Sequence, residues 1–148
     1  MTMQIINPYN NTVIETIETS SQQDVADAVG RAVNVKDDMA HLPAWQKADI
    51  LTRAAAIISE REEPLAQNIV QSVGKIIRHA RSEVKRCVET FGFAADAARN
   101  LHGETIPMDA ARTGVGKIGW YVRVPVGVVG AITPFNFPLN LVAQSSRR

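Results

Sequence analysis

The sequence predicts an α/β fold, mostly helical, with short strands near the N-terminus and two strands near the C-terminus. Three observations carry that expectation. From about Gln22 to Leu101, apolar residues recur at helical spacing. Lys117 to Val124 alternates, with Ile118, Trp120, Val122 and Val124 set against Gly119, Tyr121 and Arg123, as in a half-exposed strand. Val126 to Ile132 is an unbroken apolar run rich in β-branched side chains, the pattern of a strand buried on both faces.

The chain opens with two short extended segments, Gln4 to Ile6 and Thr12 to Thr16. The turn residues Asn7-Pro8-Tyr9-Asn10-Asn11 separate them. Ser20 or Ser21 is placed to cap a first helix near Gln22, with Asp24 favourable in its first turn. Val25, Val29, Ala32 and Val33 share one face of that helix, which ends before Leu42-Pro43. Pro43 or Ala44 opens a second helix. Its Ile50, Leu51, Ala54, Ile57 and Ile58 form one stripe. Pro64 suits the first turn of a third helix carrying Leu65, Ile69, Val70 and Val73, and Gly74 suits its left-handed cap. A fourth helix runs from about Ile77 to Leu101, with Val84, Cys87, Val88, Phe91, Ala94, Ala95 and Ala98 inward. Gly103 to Gly116 shows neither period and is expected to be a loop. Pro125 divides the alternating strand from the buried one.

The apolar run breaks at Thr133-Pro134-Phe135-Asn136-Phe137-Pro138. Two prolines so close forbid a continuing central strand. They leave one amide side chain, Asn136, in a stiff loop at the strand's carboxyl end, where ligands bind in open α/β sheets. A single buried strand is not a sheet. Its backbone groups need neighbours, each one buried unpaired costing about 1–3 kcal/mol. Those neighbours must come from elsewhere, so the sequence reads as the front of a larger protein.

The stretch Pro125-Val-Gly-Val-Val-Gly-Ala-Ile-Thr-Pro-Phe-Asn-Phe-Pro138 resembles a segment of the aldehyde dehydrogenase superfamily, Pro-x-Gly-Val-x-x-x-Ile-x-Pro-[Trp/Phe]-Asn-[Phe/Tyr]-Pro. Asn7-Pro8 with Thr12-Val13-Ile14 is similar to that family's opening strand pair. Gly74-Lys75 with Ala80-Arg81-Ser82-Glu83-Val84 is similar to its Gly-Lys-x-x-x-x-Ala-x-x-Glu-Val helix junction. The resemblance runs in order from about Ile5 to Ala143. It implies the N-terminal part of a Rossmann-like cofactor domain. Residues 1–116 would be its helical part, 117–125 a strand like the arm that joins subunits, and 126–148 the first buried strand and the Asn-Phe-Pro loop.

The resemblance also implies an NAD(P)-dependent oxidoreductase, homo-oligomeric as the parent enzyme, acting on a small aldehyde. A cysteine thiolate attacks the aldehyde, hydride passes to the nicotinamide, and water releases the acid. In that family the residue matching Asn136 donates its side-chain amide to the developing oxyanion, an interaction worth about 3–4 kcal/mol. Read without the family, Asn136 is a turn asparagine bonding its own backbone. Ile132, Thr133, Pro134 and Phe135 match positions lining the NAD or NADP cleft; otherwise they are simple loop packing. Downstream of Ala143 the family continues with a His-Lys-like pair and Pro-Ala-x-x-x-Gly-Asn, whereas this chain reads Gln144-Ser145-Ser146-Arg147-Arg148. A premature end is expected. The nucleophilic cysteine, general-base glutamate and ribose-binding lysine are then missing, so the 148-residue chain is expected to be inactive alone. An alternative is a non-catalytic fragment that docks on homologous dehydrogenase subunits through its Trp120-Tyr121 strand.

Other candidates carry less. Gly114-Val-Gly116-Lys-Ile-Gly119 has the spelling of a dinucleotide fingerprint, but that needs a strand before it and a helix after it. Cys87 sits mid-helix on an apolar face, which suits packing rather than nucleophilic attack. Lys75 reads as a helix-end charge on the surface, and Glu83, Lys85, Arg86 and Glu89 as a solvated face. His41, His79 and His102 share no ligand spacing, so no metal is expected. With 16 basic against 15 acidic residues, and only Arg147-Arg148 at the end, there is no footprint for nucleic acid or an anionic membrane. No run approaches the ~18 apolar residues of a membrane span, and the N-terminus is no signal peptide. One cysteine excludes an intrachain disulfide and suits a reducing, cytoplasmic setting.

Overall fold

Asn7 and Asn10 turn the first strand back on the second. The Asn7 side chain accepts from the Tyr9 N–H at 2.9 Å, and Asn10 Oδ1 accepts from the Thr12 N–H at 3.1 Å. These local bonds hold the turn of a hairpin, β1 (Thr2–Ile6) antiparallel to β2 (Val13–Glu18). The computed structural model describes residues 1–145. The Arg147-Arg148 pair and the end of the expected 126–148 unit lie outside the described residues.

Helix α1 (Gln22–His41) is capped by Ser21. The Asp24 N–H donates to Ser21 Oγ at 3.2 Å, and the Ser21 N–H donates to Asp24 Oδ2 at 2.7 Å. That returned bond holds the Asp24 carboxyl below its usual range. None of α1 is buried, and its expected inner residues Val25, Val29 and Val33 stand exposed. Helices α2 (Ala44–Glu60), α3 (Glu62–Val73) and α4 (Ile77–Arg99) follow at the expected places. On α2, Leu51, Ala54 and Ile58 are half-buried, while Ile50 and Ile57 face outward.

Helix α3 ends on Gly74 in the left-handed region, φ 71°, its N–H donating to the Val70 carbonyl at 2.9 Å. Glycine adopts this conformation at no steric cost, whereas most side chains are strained there. A Cβ here would also lie 3.1 Å from Pro8 Cγ of the hairpin turn.

Helix α4 is the axis of the structure, packing against α2, α3 and the short α5 (Asn140–Ser145). Ala66, Ile69, Ala80 and Val84 form the core, with Ile58, Leu65, Val70, Val73, Ile77 and Leu139 against them. Alanines at 48, 80, 94 and 95 are also buried, and such short side chains let helices approach closely. Among the described residues no helix is long and apolar enough to cross a membrane.

The C-terminal strands differ from expectation. The stretch expected as a loop contains β3 (Glu104–Ile106) and two 3-10 turns, Met108–Ala110 and Arg112–Gly114. β3 pairs antiparallel with β4, which is only Gly119–Tyr121 of the longer strand expected. Three residues per strand are too few to show a period, which is why β3 is invisible to pattern reading. The turns place Gly114 against the Met108 carbonyl, where a Cβ would sit 1.7 Å from the oxygen. Gly114 therefore serves a close approach and Gly116 a left-handed turn, φ 78°, and a strand rather than a helix follows the Gly114-x-Gly116 spelling.

Val126 to Ile132 forms no hydrogen-bonded ladder and its apolar side chains are exposed, Ile132 completely. The expectation of a buried strand is thus not met within this chain. The physical reason is the one in the sequence. A strand's N–H and C=O groups point sideways and need neighbours, and no described segment supplies them.

Candidate functional site

The Thr133 to Leu139 loop is seated on the N-terminal half of α4, and a buried ion pair does the seating. Glu83 lies on the apolar stripe of α4 between Ala80 and Val84 and is only 2% exposed. Its Oε1 accepts from the Leu139 N–H at 3.0 Å, just before α5, and from the Asn140 N–H at 3.3 Å, the first of α5. Its Oε2 pairs with Lys75 Nζ at 2.5 Å. The same ammonium donates to the Asn136 carbonyl at 2.8 Å and lies 4.1 Å from the centre of the Phe137 ring. The Arg86 guanidinium lies 4.8 Å from that ring. Asn140, itself buried, accepts from Thr90 Oγ1 at 3.0 Å. Lys75, His79, Ser82, Glu83, Arg86 and Phe137 line a cavity of about 310 Å³ behind the loop.

These contacts correct two expectations. Lys75 is not solvated surface, and Glu83 is not part of a solvated face with Lys85, Arg86 and Glu89. A carboxylate is tolerated on the apolar stripe because it finds one ammonium and two amides. A signal is present in the sequence: Glu83 falls at i+3 from Ala80 and four before Cys87, inside the stripe. Charge alone points to solvent.

On the other side of the loop, the Asn136 side chain is exposed and makes no hydrogen bond among the described residues. Thr133 is half-buried, whereas Ile132, Pro134 and Phe135 are exposed. Of this stretch, the structure leaves Ile132, Pro134, Phe135 and the Asn136 side chain open, and the Asn136 carbonyl is held by Lys75. Cys87 is fully buried, its Sγ 4.0 Å from the Leu139 carbonyl. Burial, with the Glu83 charge adding, pushes its thiol up to about 11. It is a packed thiol at neutral pH, not a nucleophile. Among the described residues no three His, Cys, Asp or Glu side chains gather as a metal-binding group.

The model of the aldehyde dehydrogenase family matches residues 1–147. The chain belongs to the aldehyde dehydrogenase family. Lactaldehyde dehydrogenase of Methanocaldococcus jannaschii is 40% identical over 142 residues, 96% of this chain and 29% of that protein. The 3-sulfolactaldehyde dehydrogenase of Priestia aryabhattai is 36% identical over 143 residues, again 96% of this chain and 29% of the relative. Aldehyde dehydrogenase 21 of Physcomitrella patens, solved with succinate, superposes with a TM-score of 0.90 at 34% identity, covering 97% of this chain and 30% of that one. The glyceraldehyde-3-phosphate dehydrogenase of M. jannaschii, solved with NADP, gives 0.88 at 37% identity over 98% and 31%. The chain therefore spans less than a third of the length of these relatives, and it matches their N-terminal part.

Proposed function

We propose that this chain supplies the carbonyl-polarising wall of an NAD(P)-dependent aldehyde dehydrogenase, with Asn136 as oxyanion donor. The observation that supports this most is the loop itself. An exposed amide stands on a backbone fixed by Pro134, Pro138 and the buried Lys75–Glu83 pair. A donor held in advance, rather than swung into place, is what stabilises charge that develops only in the transition state.

Ile132 and Phe135 offer exposed apolar surface beside that amide, and Thr133 a hydroxyl. This donor set fits one wall of a cleft for a flat nicotinamide ring and a ribose hydroxyl, the cofactor taking up hydride when bound. Residues 1–116 then form the helical part of the cofactor domain, 117–125 an arm between subunits of a homo-oligomer in the cytoplasm, and 126–148 the first strand and loop. Ile118, Trp120, Val122 and Val124 are all exposed along the arm, as an interface strand requires. The same exposure favours the second reading, in which the chain docks on homologous dehydrogenase subunits without catalysing.

The substrate is a small aldehyde, and turnover needs an attacking thiolate that Cys87 cannot provide. The test joins residues 1–143 to the remainder of the M. jannaschii lactaldehyde dehydrogenase. The chimera is expected to reduce NAD(P) with an aldehyde, and Asn136→Ala to lower its kcat by about 10²–10³-fold. The 148-residue chain alone is expected to produce no reduced cofactor. Turnover by that chain, or an undiminished kcat in the Asn136→Ala chimera, would refute the assignment.

A further inference from the structure

We infer that Lys75 and Glu83 are positioning residues for Asn136, gripping its loop from behind as one unit. This rests on the reading of Asn136 given above. The Asn136 carbonyl is held at 2.8 Å by the Lys75 ammonium, which fixes the peptide plane joining Asn136 to Phe137. The Phe137 ring lies against the same ammonium. Two residues later the Leu139 and Asn140 amides are held by the Glu83 carboxylate. The two side chains meet each other, so the loop is clamped on both sides of Phe137-Pro138. The prolines fix local dihedral angles, but they cannot fix where the loop sits relative to α4. The ion pair does that at Asn136, while Leu139 against the core and the Asn140–Thr90 bond anchor the start of α5.

A buried charge pair is a poor stabiliser in itself, since well-packed neutral side chains of like volume do as well or better. What neutral aliphatic side chains cannot do is bond main-chain carbonyl and amide groups. The double substitution Lys75→Met/Glu83→Gln separates the two roles. It removes both charges and keeps the volume, and the glutamine oxygen still accepts from Leu139 and Asn140. The methionine thioether has no proton to donate to the Asn136 carbonyl.

The experiment is NMR on the full 148-residue chain, reading the Asn136 carbonyl shift, its side-chain amide and its backbone order parameter. In the unaltered chain, Asn136 is expected to be rigid, with an order parameter near ~0.85, and the Leu139 and Asn140 amides protected. Lys75→Met is expected to lower the unfolding midpoint, move the carbonyl shift and broaden the side-chain amide. The double variant is expected to recover the midpoint and leave Asn136 disordered. Recovery of Asn136 order together with the midpoint would show a merely structural pair and overturn the proposal. An order parameter below ~0.6 at Asn136 in the unaltered chain would overturn it whether or not any variant folds.

In the chimera, the double variant is expected to lower kcat on the order of tenfold with both KM values unchanged, because misplacement acts on the transition state. A kcat that responds to Asn136→Ala but not to the double variant sinks the positioning role. A kcat indifferent to Asn136→Ala sinks the oxyanion reading instead, and the NMR comparison still judges the clamp.

Discussion

Two apolar stretches of this chain meet opposite fates. The α4 stripe through Ala80, Val84 and Cys87 is wholly buried, whereas Val126 to Ile132 lies exposed. Their composition does not explain the difference, since the exposed run is the more apolar of the two. The difference lies in what the backbone asks for. A helix pairs its own N–H and C=O groups and needs only one face covered, which α2, α3 and α5 provide. A strand's groups stay open until a neighbour arrives on each side.

Equal truncations on the two stretches sharpen that contrast. Val84→Ala is expected to cost about 2 kcal/mol, the transfer of two methyl groups from a site that cannot collapse freely. Val129→Ala in the same chain is expected to cost less than about 0.5 kcal/mol. Urea unfolding of both variants gives the two values. In the chimera, where the relative's remaining chain supplies strands, the Val129 substitution is expected to approach the cost at Val84. A large effect at Val129 in the 148-residue chain would mean the run finds cover without those strands.

The helical half was legible because its signals are local. Ser21 with Asp24, Pro64, Gly74 and the stripes on α3 and α4 each sit where the structure uses them. The α1 face containing Val25, Val29 and Val33 reads as inner in the sequence, yet no described element covers it. Periodicity reports which face is apolar, not what lies against it. β3 is hidden because three residues show no alternation. The candidate loop was visible from its prolines and Asn136, but its support was not. Lys75 and Glu83 meet across eight residues and a helix start, and although Glu83 falls inside the α4 stripe, nothing in the sequence pairs it with Lys75.

Gly74 joins the two regions of the chain that do pack. It stands at φ 71° between α3 and α4, with the hairpin's Pro8 close by. Gly74→Ala is expected to cost about 1 kcal/mol or more, from the left-handed backbone and the crowded Pro8 ring together. Gly30, inside α1 with open space around its Cα, is the control: alanine there is expected to stabilise by about 0.5–1 kcal/mol. A Gly74 variant as stable as the original would mean that the hairpin and helix junction yield without resistance.

The smallest expected effect belongs to a more exposed ion pair on α4. Arg81 Nε donates to Glu63 Oε2 at 2.8 Å, and Arg81 Nη2 to Oε1 at 3.0 Å. These bonds, with one from Gln67, draw the Glu63 carboxyl from its ordinary 4.5 to about 2. Both side chains are about half exposed, 49% and 52%, so water screens what the buried Lys75–Glu83 pair keeps. A carboxyl whose folded value is depressed contributes stability above its unfolded value, and that contribution is lost as pH falls from 4.5 toward 2. Arg81→Gln is expected to return the Glu63 midpoint toward 4.5 in an NMR titration and to flatten the acid limb of the stability curve slightly. High salt is expected to do part of the same to the unaltered chain while leaving the Leu139 and Asn140 amides protected, because burial shields the Lys75–Glu83 pair from mobile ions. Equal salt sensitivity at both places would mean that burial, which separates the α4 stripe from the Val126 to Ile132 run, makes no difference between these two ion pairs.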